Sequence, residues 1–321
     1  LKAILSHKSI KLILILLGAV LLIKGGSSAY FYLTDGFHSS HIETAFPYRE
    51  SWSIDSEQLS EDEVKTRLNQ NFFWLDKGAQ FYTFIGEDEE TVLKIVKQKH
   101  LRLPYWEKKL LSLLNLKGYR QKREEKKKSK YLELLRSVKI AFEELKEETA
   151  LLYHHFQQTD SLKTTARIHD KLGLAYELDM DSREFLLQRK VLPLIPALDQ
   201  AIEARNLADA KQKIDQMVIL LVSRSEKGIY DSDKRLIENV GYLNNRAVFI
   251  DIGSFTKIFN YPIDEELIVR TRILKHRLKG RSPELAIYLD EAVHWGKPQN
   301  AYLSLLFSQY QSISDKEPTS H

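Results

Sequence analysis

Three stretches of this chain put polar side chains where a purely structural sequence would prefer apolar ones. Lys94 interrupts the apolar run Thr91-Val92-Leu93-Lys94-Ile95-Val96, on the face it shares with Val92 and Val96. Asp251 ends a second apolar run, Ala247-Val248-Phe249-Ile250, directly before Ile252-Gly253. The loop Ile229–Asn239 is rich in oxygen ligands, with Asp231, Ser232, Asp233, Glu238 and Asn239. A buried cation, a carboxylate at a strand end and an oxygen-rich loop can together handle an anion and a hard metal ion. The chain has no cysteine, which excludes disulfide scaffolds, Cys-ligated zinc, iron–sulfur clusters and thiol catalysis, and confines any metal to oxygen or histidine ligands. Taken singly, each feature has a plain reading: a strand-edge lysine with its head in water, a strand-to-turn transition, and ordinary loop residues. Their order along the chain and the elements around them are what join them.

Those elements are readable from periodicity. Phe72–Leu75, Gln80–Ile85 and Thr91–Val96 are short aromatic or β-branched runs separated by Asp76-Lys77-Gly78-Ala79 and Gly86–Glu90, the pattern of a three-stranded antiparallel meander. A helix is expected over Leu103–Leu116. Tyr131, Leu135, Val138, Phe142, Leu145, Thr149, Leu152 and Phe156 alternate spacings of four and three, which predicts one amphipathic helix of about seven turns. Leu172–Leu178 and Glu184–Arg189 read as a hairpin around Asp179–Ser182. Leu207–Lys227 reads as a second helix stopped by Gly228, and helical patterns recur at about 263–279, 282–295 and 299–311.

This distribution resembles the protein-kinase-like fold in a divergent, small-kinase or pseudokinase form, over roughly residues 72–255. The resemblance implies an α+β, two-lobed body: an antiparallel β N-lobe with a long helix at 71–190, and a mostly helical C-lobe at 191–321. It implies ATP and magnesium as cofactors. Lys94, in Val-Leu-Lys-Ile, would grip nucleotide phosphates and pair with a helix glutamate, Glu148, with Glu144 as the fallback. Gly78 would belong to the loop covering the phosphates. Asp233 would be the catalytic base, and Asn239 and Asp251 the metal ligands. The sequence also departs from the family pattern. Only Gly78 remains of a three-glycine loop. Asp231-Ser232-Asp233 stands where His-Arg-Asp is usual. Asp233 to Asn239 is one residue longer than the usual spacing, so Asp231 could be the base or the site could be inert. No Ala-Pro-Glu motif follows Asp251. Two functions stay open: an ATP-dependent phosphotransferase, or a catalytically inactive interaction module with a protein partner.

Lys2, Lys8 and Lys11 precede the apolar run Leu12–Ile23, which is followed by Lys24-Gly25-Gly26-Ser27-Ser28-Ala29 and Tyr30-Phe31-Tyr32-Leu33. Residues 1–33 are expected to form a single-pass membrane helix, with a cleaved signal peptide or a buried core helix as alternatives; the lysine bias would place the body outside the cytoplasm. Residues 34–70 read as a polar stalk, in which His38 and His41 lack a third metal donor in register. With 48 basic and 44 acidic side chains, the net charge of +4 argues for neither nucleic acid nor an anionic surface. The Lys- and Arg-rich stretch 117–130 reads as a solvated helix or loop; contact with anionic lipid or nucleic acid is the alternative, and no nucleic-acid-binding motif supports the latter.

Overall fold

The computed structural model describes residues 7–44, 46, 54, 58–258 and 263–295. The chain is a mixed α+β protein. Helix α1 (His7–Thr34) leads through a 3-10 turn, Ser39–Ile42, to α2 (Glu61–Leu68). Strands β1 (Asn71–Lys77), β2 (Phe81–Gly86) and β3 (Thr91–Val96) follow. Then come α3 (Tyr105–Leu113), α4 (Lys117–Glu144), the one-turn α5 (Lys146–Thr149) and β4 (Leu151–His155). Strands β5 (Thr165–His169), β6 (Ala175–Asp179), β7 (Phe185–Arg189) and β8 (Leu192–Pro193) precede α6 (Leu194–Glu203) and α7 (Leu207–Glu226). The remainder is β9 (Ile229–Asp231), α8 (Leu236–Asn239), β10 (Val240–Leu243), β11 (Arg246–Phe249), β12 (Phe255–Lys257), α9 (Ile263–Arg281) and α10 (Pro283–Trp295).

Seven strands form one sheet in the order β4-β7-β3-β2-β1-β5-β6, and the expected meander is its centre: Thr83 pairs with Lys94, and Phe73 with Ile85. Strand alternation divides the side chains between two cores. Tyr82, Phe84, Leu93 and Ile95 face a smaller cluster with Phe72 and Ile168. Phe81 and Val96 face a larger one built from α4, α6, α7, α9 and α10. Lys94 therefore projects to the side of the sheet on which α4 and β11 lie.

Four expectations need correction. The amphipathic period does not continue as one helix to Phe156. The helix ends at Leu145, Ala150 takes a left-handed φ of 52°, and Leu151–His155 become strand β4 with alternating burial. A stretch such as Leu-Leu-Tyr-His-His satisfies both periods, and pairing with β7 decides between them. The expected hairpin is also re-partnered: β6 pairs with β5, and β7 lies between β3 and β4. The supposed stalk is partly core. Phe37 and Ile42 are buried, and α2 starts with a capping box between Ser60 and Glu63.

Finally, among the described residues no helix is long and apolar enough to cross a membrane. The dozen residues Leu12–Ile23 cover about 18 Å at 1.5 Å per residue, against roughly 30 Å of hydrocarbon; Lys24 and the Gly-Gly-Ser-Ser stretch interrupt the run before Tyr30. The last expected helix, 299–311, lies outside the described residues.

The C-terminal end of α1 is fixed to the body. Phe37 packs edge-on against Trp74, Tyr82, Phe84 and Tyr176. Tyr82 Oη donates to Gly36 O at 2.7 Å, and Lys77 and Lys171 both pair with Asp35. Phe37→Ala should therefore cost about 3–5 kcal/mol in urea unfolding, the range for emptying a buried aromatic site; a stalk residue would cost nothing measurable.

Candidate functional site

Ile250, the residue after β11, is where the expected residues meet. Lys94 Nζ donates to its carbonyl at 2.5 Å. Its N–H donates to Asn239 O at 2.8 Å, extending the β10–β11 pairing by one step. Asp251 is the next residue. Gln188 Nε2, on β7, closes the junction from below by donating to Thr149 O (2.6 Å) and Phe249 O (3.2 Å). Lys94 is buried, and burial pulls its ammonium down to about 8, with the Asp251 and Asp76 charges opposing the shift.

The turn after Asp251 is held on both sides. Asp251 Oδ1 accepts Gly253 N–H at 3.0 Å. Ile252 is fully buried in the larger core, and Ser137 of α4 bridges the turn, donating to Ile252 O and accepting from Phe255 N–H at 2.6 Å. From above, Gln80 of the β1–β2 loop donates through Nε2 to Gly253 O at 3.2 Å. A Cβ on Gly253 would lie 2.3 Å from the Gln80 amide, so this approach uses the glycine.

The oxygen-rich loop separates its two aspartates. Asp231 is buried at the end of β9. Burial pushes its carboxyl up, and Ser254 Oγ, Arg224 and Arg270 hold it back. Its carboxylate accepts Asp233 N–H at 2.9 Å and lies 3.8 and 3.7 Å from the Arg224 and Arg270 guanidinium groups. Asp233 is more accessible. Its burial raises the carboxyl, but the Arg235 guanidinium outweighs that and holds it below the usual carboxylate range, with contacts of 2.6 and 3.1 Å. Asn239 also steadies Asp233 electrostatically. The buried Asn239 Nδ2 nevertheless meets no acceptor within full hydrogen-bond geometry.

Lys94 Nζ thus meets the main chain running from Asn239 to Asp251 at Ile250, close enough to feel the Asp251 charge, with Asp233 beside Asn239. Two other expected residues do not join them. Glu148 is not the partner of Lys94: it lies on α5 and pairs with Lys227 at 2.5 Å, while the fallback Glu144 pairs with Lys257 at 2.5 Å. The break at Leu145 carries Glu148 off the helix, Glu144 is taken by Lys257, and the α4 side chain that faces the Asp251 turn is Ser137. Gly78 is held by Lys97 Nζ through its carbonyl at 2.5 Å, and the residue of that loop that bonds to the turn is Gln80. The His38 and His41 rings lie 5.5 Å apart and tilted at 55° near the Gly36 turn, and among the described residues no three His, Asp or Glu side chains gather as a metal cage.

Sequence reasoning missed the buried ion network beneath the loop. Arg224 (α7) and Glu266 (α9) form an ion pair, and Arg270 Nε contacts Glu266 at 2.5 Å. Arg270 also donates to Asp231 O and, at 2.6 Å, to Asp233 O, fixing the loop from below. The signal was present: Arg224 lies three residues after Leu221, on the apolar face of α7 with Ile214 and Met217. A second missed group is Glu184, which accepts from Tyr131 Oη at 2.8 Å and Gln98 Nε2 at 2.6 Å, joining α4 to the sheet.

No family model matches the chain, and no curated protein matches it. Among solved structures, it is similar to WbdD (13% identity, TM-score 0.35, covering 74% of this chain and 49% of that one). A second match is titled the bifunctional kinase-methyltransferase WbdD (14%, TM-score 0.33, 74% and 50%). A third is the Rv3197–erythromycin complex from Mycobacterium tuberculosis (12%, TM-score 0.31, 88% and 75%). The chain spans about half the length of the WbdD chains. At these TM-scores the likeness is loose.

Two tests follow from the network and from Glu184. Arg270→Ala leaves Glu266 and Asp231 short of a cation in a dry site, and should cost about 3–5 kcal/mol in denaturant unfolding. Burial raises Glu184 from an ordinary 4.5 to about 7, against the Tyr131 and Gln98 hydrogen bonds. Between those values the native state keeps a proton that the unfolded chain has released. Its stabilising contribution is full below about pH 4.5 and lost as pH rises to about 7, on the order of 3 kcal/mol in all. Urea unfolding across that range should slope more steeply in the wild type than in Glu184→Gln; equal slopes would show that Glu184 does not titrate there.

Proposed function

We propose that this chain is a kinase-like, nucleotide-binding phosphotransferase, with its nucleotide and magnesium at the Lys94–Asn239–Asp251 junction. The observation that carries the reading is the convergence of these three residues on Ile250, from a strand of the sheet, a short helix and the turn after β11. Lys94 would meet the phosphates as a buried cation. Asp251 and Asn239 would hold the metal, which usually takes one or two protein ligands beside phosphates and water. The fit rests on Asn239. Its buried amide lacks a partner, and a half-turn about its terminal bond would bring Oδ1, a hard ligand, to the same place. When bound, magnesium would neutralise charge on the transferring phosphoryl group.

The chain's own residues would do the positioning. Gln80 closes over the turn, and Ser137 fixes the turn's backbone. Asp233 would accept the acceptor's proton once released from Arg235; a carboxylate held by a guanidinium is a weak base. That clasp is the observation favouring the second reading, a kinase-like interaction module that binds nucleotide without transferring phosphate. ATP use would also place the body on the cytoplasmic side of any membrane, opposite to the side suggested by the lysines at the start of the chain.

A thermal-shift experiment with Mg–ATP tests the site. Ligand at about a hundred times Kd stabilises by roughly 2.7 kcal/mol. Wild type should therefore shift upward, and Lys94→Met and Asp251→Asn should not. No shift in the wild type would remove the nucleotide site. A shift without release or transfer of labelled γ-phosphate would favour the second reading.

A further inference from the structure

Helix α3 carries an apolar stripe on its outer side. Trp106, Leu110, Leu113 and Leu114 recur at i, i+4, i+7 and i+8, which is one helical face. All four are exposed, Trp106 at 66% and Leu113 at 75%, while Leu111 alone turns into the core. Tyr105, Leu116 and Tyr119 extend the exposed patch around the α3–α4 corner. A stripe of this kind normally seeks a partner surface, and a continuous exposed patch marks an interaction site.

The charges around it identify the partner. Residues 105–130 hold ten basic and three acidic side chains, a surplus of seven in a chain whose total is +4. Two of the acids are engaged locally: Glu107 with Arg123 at 2.9 Å, and Glu124 with Arg120 at 3.1 Å. Lys109, Lys117, Lys122 and Lys126 are exposed and form no ion pair among the described residues. A cavity of about 290 Å³ opens between this corner and the body, walled by Leu101, Leu103, Lys108, Lys127 and Lys128 with Glu124 and Glu125. Tryptophan and tyrosine at the edge of a leucine stripe, ringed by lysines, match the layered chemistry of a bilayer surface: apolar chains, an interfacial zone and anionic headgroups.

We propose that the α3–α4 corner docks onto an anionic lipid bilayer, with Trp106, Leu110 and Leu113 entering the interface and the lysines of early α4 meeting the headgroups. This docking needs no nucleotide, so it stands or falls separately from the phosphotransferase reading.

The test uses the full chain with phosphatidylcholine vesicles carrying brominated acyl chains, with and without phosphatidylglycerol. The tryptophan emission lost on changing Trp106→Phe isolates Trp106 from the other three tryptophans. That component should be quenched by the anionic vesicles, much less by the neutral ones, and be restored in high salt. Lys117→Ala, Lys122→Ala and Lys126→Ala should each raise the lipid concentration needed for half-quenching about five-fold. Leu110→Ser with Leu113→Ser, both exposed and so neutral to folding, should abolish the quenching with the circular dichroism spectrum unchanged. An unquenched Trp106 in both vesicle types overturns the proposal. So does equal quenching in neutral and anionic vesicles. So does a lipid-free dimer that shields Trp106 and is broken by Leu113→Ser, since a second copy then covers the stripe.

Discussion

Two guanidinium groups shut away from water, Arg224 and Arg270, set the position of everything beneath the candidate site. Each would be costly to bury alone. Glu266 and Asp231 meet their charge, and Arg270 spends its remaining donors on the backbone oxygens of Asp231 and Asp233. Arg224 Nη1 makes no hydrogen bond; its compensation is the Asp231 carboxylate at 3.8 Å and the Phe249 ring below its guanidinium. The network joins α7, α9, β9 and the loop that follows. That loop cannot shift without exposing or unpairing a buried charge, so Asp233 and Asn239 are presented from a fixed floor.

The sheet fixes the other wall. β3 is hydrogen-bonded on both sides, to β2 and β7, so the direction of the Lys94 side chain follows from strand alternation. Gln188 in β7 and Lys94 in β3 then tie the sheet to the β10–β11 hairpin through the carbonyls of Phe249 and Ile250. The two walls meet through main-chain atoms of Ile250, which makes the junction insensitive to the Ile250 side chain. It depends instead on Lys94 reaching a carbonyl that has lost its strand partner. A lysine in that position needs either that carbonyl or an anion, and the nearby Asp251 charge keeps it from being fully neutralised by burial.

How much of this was legible in the sequence depended on whether the signal was local. The meander was readable because Asp-Lys-Gly-Ala and Gly-Glu-Asp-Glu-Glu are turn chemistry between β-branched runs. Lys94, Asp251 and the 229–239 loop stood out because each broke an apolar context. The helix glutamate was misplaced for the opposite reason. Leu145, Leu152 and Phe156 keep a helical period across a break that only pairing with β7 imposes. The re-partnering of β6 is likewise non-local, because nothing near Glu184 says that Phe185–Arg189 will enter the sheet between β3 and β4. Phe37 and Ile42 sat in a polar stretch without period, and their burial follows from the aromatic surface of β1 and β2. Arg224 was the one missed residue with a local mark, a charge on an apolar helix face.

The remaining tension in the site is the Arg235 clasp on Asp233. The contacts are close, but the Arg235 side chain is 53% exposed, and it also reaches Glu238 at 2.8 Å. Ion pairs open to solvent are worth about 0–1 kcal/mol. Arg235 also feels the Asp251 charge, so a ligand carrying several negative charges beside Asp251 would compete for the same guanidinium. Displacing an exposed pair of that strength costs little beside the binding of a phosphate chain to a buried lysine. On the proposed reading, a bound anion would therefore relieve the clasp, which in its absence holds the Asp233 carboxyl below the usual carboxylate range. In contrast, the carboxylate below it, Asp231, is held by Arg224, Arg270 and Ser254 in a buried network, so it is the less mobile of the two.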